Sequence, residues 1–179
     1  MLVAHPGAEL YGSDRMLLES VTALVSSGHR VVLTLPGAGP LVAAATERGA
    51  DVRLCPSPVV RKSALGPRGL VRLAGEAFTA ARRGRRLIGA VRPDLIVVNT
   101  VVIPLWLGLA RFGRIPAVCH VHEAEASQPL LVRRLLYGPL LLANRLIVNS
   151  QFALDTLAGS WGFLRRRSIV VYNGVSGPD

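Results

Sequence analysis

The stretch Gly7-Ala8-Glu9-Leu10-Tyr11-Gly12-Ser13-Asp14-Arg15 joins a very short apolar run, Leu2 to Ala4, to a helix-period run that begins at Met16. A strand that turns through glycines into a helix leaves the first helical N–H groups without intrahelical partners. With the positive end of the helix dipole, those groups suit an anion such as a phosphate or a sugar acid. Glycine lets the backbone approach such a ligand closely. A second reading is a plain strand-to-helix turn capped by Ser13 or Asp14, which any α/β protein needs.

The same alternation continues outward from this turn. Apolar strand-like runs lie at Leu2–His5, Arg30–Leu35, Asp51–Cys55, Asp94–Asn99, Ala117–Val121, Arg145–Asn149 and Ser168–Tyr172. Helical patterns fall between them, at Ser13–Ser27, Gly39–Arg48, Pro67–Val91, Val101–Phe112, Pro129–Ala143 and Ser150–Ala158. Runs such as Val31-Val32-Leu33 and Leu95-Ile96-Val97-Val98 are apolar on both faces, as parallel strands covered by helices on both sides must be. Gly28 and Gly49 sit where helix C-terminal caps are expected. Gly84 and Gly89 are candidate interruptions of the long basic helix, and Pro56 to Pro67 is the loosest region. The predicted fold is α/β: a doubly wound, mostly parallel Rossmann-like sheet with helices on both faces.

Composition narrows the class. A chain of 179 residues that is 50% hydrophobic can bury one substantial core. Its mean hydropathy of +0.40 argues against general disorder. Cys55 and Cys119 lie in or beside strand-like runs, a pattern of buried thiols rather than a disulfide framework. No signal peptide is read at Met1, and the longest charge-free stretch, Leu95 to Ala110, is too short to span a bilayer. The net charge of +10 rests on arginine, with Lys62 the one lysine, and favours anionic partners.

Ligands of open α/β sheets bind beyond the carboxyl ends of the strands. Those ends read His5-Pro6-Gly7, Asn99-Thr100, His120-Val121-His122-Glu123 and Asn149-Ser150-Gln151, which together suggest a polar crevice. His120 and His122, two apart on a strand, could share a metal, but no further ligands appear at recognisable spacing. A His–Glu pair could do acid–base work. Alternatively the histidines only hydrogen-bond neighbouring backbone. The turn lacks G-x-G-x-x-G spacing, and neither a P-loop nor a G-x-S-x-G elbow is present.

Taken in order, these segments resemble the N-terminal, acceptor-side domain of a bacterial family-4 glycosyltransferase, a retaining enzyme of the two-Rossmann GT-B architecture. The resemblance is carried by Glu9 to Arg15, Gly28-His29-Arg30-Val31, and Leu35-Pro36 with Gly39-Pro40-Leu41. It continues through Arg92 to Thr100, His120 to Glu123, Ile147 to Ser150, and Val170-Val171-Tyr172-Asn173-Gly174-Val175. It implies a domain over residues 1–175, with 176–179 opening a linker to a donor-binding domain.

The resemblance also implies roles. The turn bearing Glu9, Tyr11, Gly12, Ser13 and Arg15 would face the donor diphosphate and the acceptor. His122 would contact the donor sugar, with Glu123 beside it as the family's acidic residue; these two are the catalytic candidates. Asn99 and Thr100 would line the acceptor side, with His120 and Asn149 nearby. Asn173 and Gly174 match the crossover between domains. The substrate would be a nucleotide sugar, the acceptor a glycan or a lipid-linked molecule, and no metal or other cofactor is expected, D-x-D being absent.

Two departures qualify it. Residues that usually precede the first strand are missing, and the E-x7-E segment of a second domain does not occur. The expectation is therefore that these residues alone transfer no sugar. The alternative is a non-catalytic binding or regulatory module of the same fold. Nucleic-acid binding is suggested by charge alone and lacks any recognised motif. The arginine clusters at 82–86, 133–134 and 165–167 read either as solvated surface or as a docking face for anionic lipid. The expected location is the cytoplasm, with peripheral attachment to the inner face of the plasma membrane.

Overall fold

A computed structural model of the chain describes residues 1–60, 67–122 and 125–174, with the backbone alone at 67, 68, 70 and 71. Glu123, Val175 and the expected linker start at 176–179 lie outside the described residues.

The strands are β1 (Leu2–Ala4), β2 (Val32–Leu35), β3 (Asp51–Leu54), β4 (Ile96–Val98), β5 (Ala117–Val121), β6 (Arg145–Val148) and β7 (Ser168–Val170). The helices are α1 (Gly12–Ser26), α2 (Pro40–Glu47), α3 (Pro67–Val91), α4 (Leu105–Phe112), α5 (Leu130–Tyr137) and α6 (Gln151–Ser160). Short 3-10 helices at Gly138–Leu142 and Gly162–Arg167 follow α5 and α6.

All seven strands form one parallel sheet in the order β3-β2-β1-β4-β5-β6-β7. The chain winds from β1 outward to β3, then crosses by α3 to β4 on the other side of β1. Leu2 pairs with Val32 on one flank and Ile96 on the other, so the winding direction reverses between β1 and β4. The connections there diverge and leave a crevice beyond the carboxyl ends, the position where open sheets bind ligands.

Each sheet face has its own core. Val3, Leu33 and Leu35 pack with Leu17, Leu18, Val21, Leu41 and Ala45 of α1 and α2. Leu2, Ala4, Ile96, Val98, Cys119, Leu146 and Val148 pack on the opposite face with Trp106, Leu107, Tyr137, Leu140 and Leu157. Alternate residues of β1 thus serve different cores, which explains why so short a strand is apolar throughout.

Both cysteines are buried thiols in no disulfide among the described residues. Gly28 and Gly49 take positive φ after α1 and α2, as their cap positions require. Two helical expectations are corrected. The run from Val101 begins its helix only at Leu105, because Pro104 stands at the N-cap. The run from Pro129 splits at Gly138-Pro139, where the chain tightens into a 3-10 turn. Gly84 does not interrupt α3: a Cβ there would meet Leu109 Cδ1 at 2.5 Å, so glycine permits the close approach of α3 and α4.

Candidate functional site

The opening turn is organised by Asp14. Tyr11 keeps an extended backbone at the N-cap of α1, and Asp14 occupies the third helical position. Its Oδ2 accepts the Tyr11 N–H at 2.7 Å, satisfying one donor at the helix start. Its Oδ1 lies 2.6 Å from His5 Nε2, and the Ser13 hydroxyl reaches it more weakly at 3.5 Å. Asp14, not Ser13, is the residue that caps the helix. The anion nearest the start of α1 is therefore the protein's own carboxylate, buried and on the favourable side of the dipole. Glu9, Leu10, Tyr11, Gly12, Ser13 and Arg15 are exposed around it.

A chain of hydrogen bonds runs from this carboxylate across four strand ends. His5 follows β1 and its Nδ1 meets Asn99 Nδ2, beyond β4, at 3.1 Å. Asn99 Oδ1 meets His122 Nε2, beyond β5, at 3.1 Å. The His122 carbonyl accepts from Asn149 Nδ2 at 3.2 Å, beyond β6. Asn149 Oδ1 accepts the Ser150 hydroxyl, and Ser150 Oγ accepts the Ala153 N–H at 3.1 Å to cap α6. His5, Asp14 and Asn99 are buried, so their polar atoms must be satisfied internally. His122 is half-buried at the crevice.

The parallel register produces this alignment. Ala4 pairs with Val98, so His5 and Asn99 are level, and Val121 pairs with Val148, so His122 and Asn149 are level. Val98 pairs with Cys119, so His122 stands two residues beyond the level of Asn99 and reaches back to it. The sequence points to Asn99, His122 and Asn149 as site residues, and to His5 only as one of four polar strand ends and Asp14 only as a candidate helix cap. Their signal was available: a histidine ending β1 and an acid at the third position of the next helix. What could not be read was that α1 lays the acid against the ring.

The remaining candidates fall differently. Thr100 is buried, and its hydroxyl accepts the Val102 N–H at 3.2 Å. His120 turns toward an apolar groove of about 370 Å³ shared with Leu17, Val21 and Ile147. Its ring centroid lies 3.9 Å from that of His122. Burial, and next the neighbouring His122, pushes His120 down from 6.5 to about 4. Its Nε2 has no hydrogen-bond partner among the described residues. Those residues also contain no group of three or more metal-ligating side chains. Asn173 and Gly174 share an open groove of about 750 Å³ with Gly12, Arg15, Glu19 and Arg48. The structure thereby brings the start of α1 beside the chain that leaves β7.

The arginine clusters are partly absorbed by the fold. Arg165 pairs with Asp155, Arg167 donates to the carbonyls of Leu141 and Ala143, and Arg134 bonds the Ser160 carbonyl. Arg134 and Arg167 also lie over the rings of Trp161 and Phe163. No helix among the described residues is long and apolar enough to cross a membrane.

Solved structures share this architecture. HepE from Anabaena, in complex with UDP and glucose, superposes with a TM-score of 0.71 at 18% identity, over 97% of this chain and 44% of that one. A glycosyltransferase from Rickettsia africae gives 0.70 at 15% identity, over 97% and 42%. The lipopolysaccharide outer core galactosyltransferase WaaB, in its apo form, gives 0.69 at 13% identity, over 98% and 46%. The fold is the Rossmann-like α/β unit of GT-B glycosyltransferases. The Glycosyltransferase Family 4 model matches residues 11–176, and the chain belongs to that family. It spans about 44% of the length of the first of these structures. No curated protein matches the sequence.

Proposed function

We propose that these residues form the acceptor-side wall of a retaining glycosyltransferase, which moves a sugar from a nucleotide-sugar donor to a glycan or lipid-linked acceptor. The observation that carries this reading is the hydrogen-bonded row Asn99–His122–Asn149 at the sheet's carboxyl edge, beside the exposed turn of Gly12, Ser13 and Arg15. In this reading His122 contacts the donor sugar, and Glu123, the next residue in the sequence, is the family's acidic residue. The Gly12 and Ser13 N–H groups and the Arg15 guanidinium offer positive potential to the diphosphate. Asn99 and Thr100, both buried, back the acceptor side from beneath its surface, and Asn173 and Gly174 close the far side of the groove. That HepE was solved with UDP and with UDP-glucose supports a nucleotide sugar as donor.

The reading is tested with UDP-glucose as probe. In an NMR titration of the purified chain, shifts are expected at His122, Gly12, Ser13 and Arg15, and His122→Ala is expected to weaken them at least several-fold. Shifts confined to other regions would overturn the reading. Turnover needs a second, donor-binding wall, so the 179 residues by themselves are expected to transfer no sugar. Measurable transfer from UDP-glucose by the purified chain would refute that expectation.

Peripheral attachment to anionic membrane is part of the proposal. Arg111, Arg114, Arg145 and Arg167 line one groove of about 680 Å³, and each basic group near such a surface contributes on the order of 1 kcal/mol. Liposome flotation is expected to depend on anionic lipid; equal recovery with neutral vesicles would remove this part.

A further inference from the structure

We infer that Asp14 and His5 are positioning residues for His122, acting through Asn99 to hold its ring in the tautomer protonated at Nε2. The consequence for sugar binding rests on the proposed donor contact of His122; the tautomer itself does not.

The direction of each bond follows from the first. An ionised carboxylate only accepts, so the 2.6 Å contact at Asp14 Oδ1 makes His5 Nε2 the donor. The Asn99 amide nitrogen, which can only donate, faces His5 Nδ1 at 3.1 Å, so Nδ1 is the acceptor and the ring carries its one proton at Nε2. The Asn99 carbonyl oxygen is thereby turned to His122 and accepts its Nε2–H. The lone pair of the His122 ring then lies at Nδ1.

Burial argues for positioning rather than chemistry. His5 and Asp14 are 5% and 4% exposed, so neither reaches a substrate in the crevice. Their bonds are instead shielded from water, where charge-assisted hydrogen bonds are strongest. The Tyr11 N–H on the other carboxylate oxygen holds Asp14 in place and makes the device directional.

That N–H also predicts the outcome of Asp14→Asn. The carbonyl oxygen of the substituted side chain must stay on the Tyr11 N–H, so its amide nitrogen faces His5 and donates. His5 Nε2 becomes the acceptor and Nδ1 the donor. Asn99 turns over, and His122 Nε2 accepts a hydrogen bond instead of donating one, which leaves the ring proton at Nδ1.

The experiment is long-range nitrogen–proton NMR of the labelled chain near neutral pH, reading ring tautomers without any ligand. In the wild type His5 and His122 are both expected as the Nε2–H form, and in Asp14→Asn both as Nδ1–H, with the backbone amide spectrum retained. A wild-type His122 protonated at Nδ1 overturns the inference, as does an Asp14→Asn that switches His5 and leaves His122 unchanged. Asn99→Asp is the second variant, needed if Asp14→Asn does not fold. An acceptor-only side chain there draws donors from both rings, so His5 becomes an imidazolium at neutral pH while His122 keeps its Nε2–H; a neutral His5 in that variant also overturns it. Because no nucleotide sugar is present, failure here leaves the donor contact untouched, and loss of the donor contact leaves the tautomers readable.

Discussion

His5 Nε2 and Asp14 Oδ1 stand 2.6 Å apart, both side chains buried, and the contact ties the end of β1 to the first turn of α1. It spans the turn on which the site is built. The two residues are nine apart in sequence, so the bond closes a short loop at little entropic penalty and orders everything between.

Removing the carboxylate is expected to destabilise the fold strongly. Asp14→Ala leaves the His5 ring and the Tyr11 N–H without their acceptor in a site closed to water. Losing one partner of such a buried group typically costs about 2–4 kcal/mol. Urea unfolding followed by circular dichroism measures it; a change below about 0.5 kcal/mol, the usual size for an exposed site, would show that the contact is not maintained in solution.

Acid should weaken the fold through His120. Its folded value near 4 lies below the ordinary 6.5, so between those limits the unfolded chain binds a proton that the folded chain excludes. The contribution of this group is complete above pH 6.5 and falls as the pH drops toward 4, by on the order of 1–2 kcal/mol once the partial exposure of the ring is allowed for. His120→Leu should flatten that slope and, by removing a buried ring nitrogen that lacks a partner among the described residues, raise stability at neutral pH by about 1 kcal/mol. Unfolding midpoints at several pH values for both proteins decide it.

Gly39 is expected to tolerate no side chain. A Cβ there would lie 2.3 Å from the carbonyl oxygen of Ala8, which also accepts the Leu41 N–H at 3.0 Å. The obstacle is backbone, so Gly39→Ala must push the opening turn away from α2. A loss of about 2 kcal/mol or more is expected, within the range for overpacked sites, together with amide shifts from Gly7 to Asp14. An unshifted spectrum would show that the two segments do not touch.

Ser150→Ala should cost about 1 kcal/mol, the usual value of an N-cap, because Ala153 N–H loses its acceptor. The same change frees Asn149 from one partner. A two-state denaturation curve gives the first effect, and the Asn149 side-chain amide signal reports the second.

Much of the architecture was legible because it depends on short-range pattern. Two-faced apolar runs of strand length, separated by helical runs that end at Gly28 and Gly49, leave few alternatives to a doubly wound sheet. The boundaries missed were those where local chemistry overrides periodicity: Pro104 delays α4, and Gly138-Pro139 ends α5. The doubt over Gly84 was resolved by a neighbour, Leu109, that lies 25 positions away in the chain.

For the site the division is similar. By itself the sequence determined that polar residues end the strands at His5, Asn99, His122 and Asn149, because a parallel strand must surrender its apolar pattern where it leaves the core. Only the tertiary structure decided which of them meet. The strand order sets Asn99 between the ends of β1 and β5, where it meets both His5 and His122, and the packing of α1 against β1 brings Asp14 onto the His5 ring. Hydrogen bonds have a reach of about 3 Å, and no spacing along the chain reports so short a distance between residues 94 positions apart.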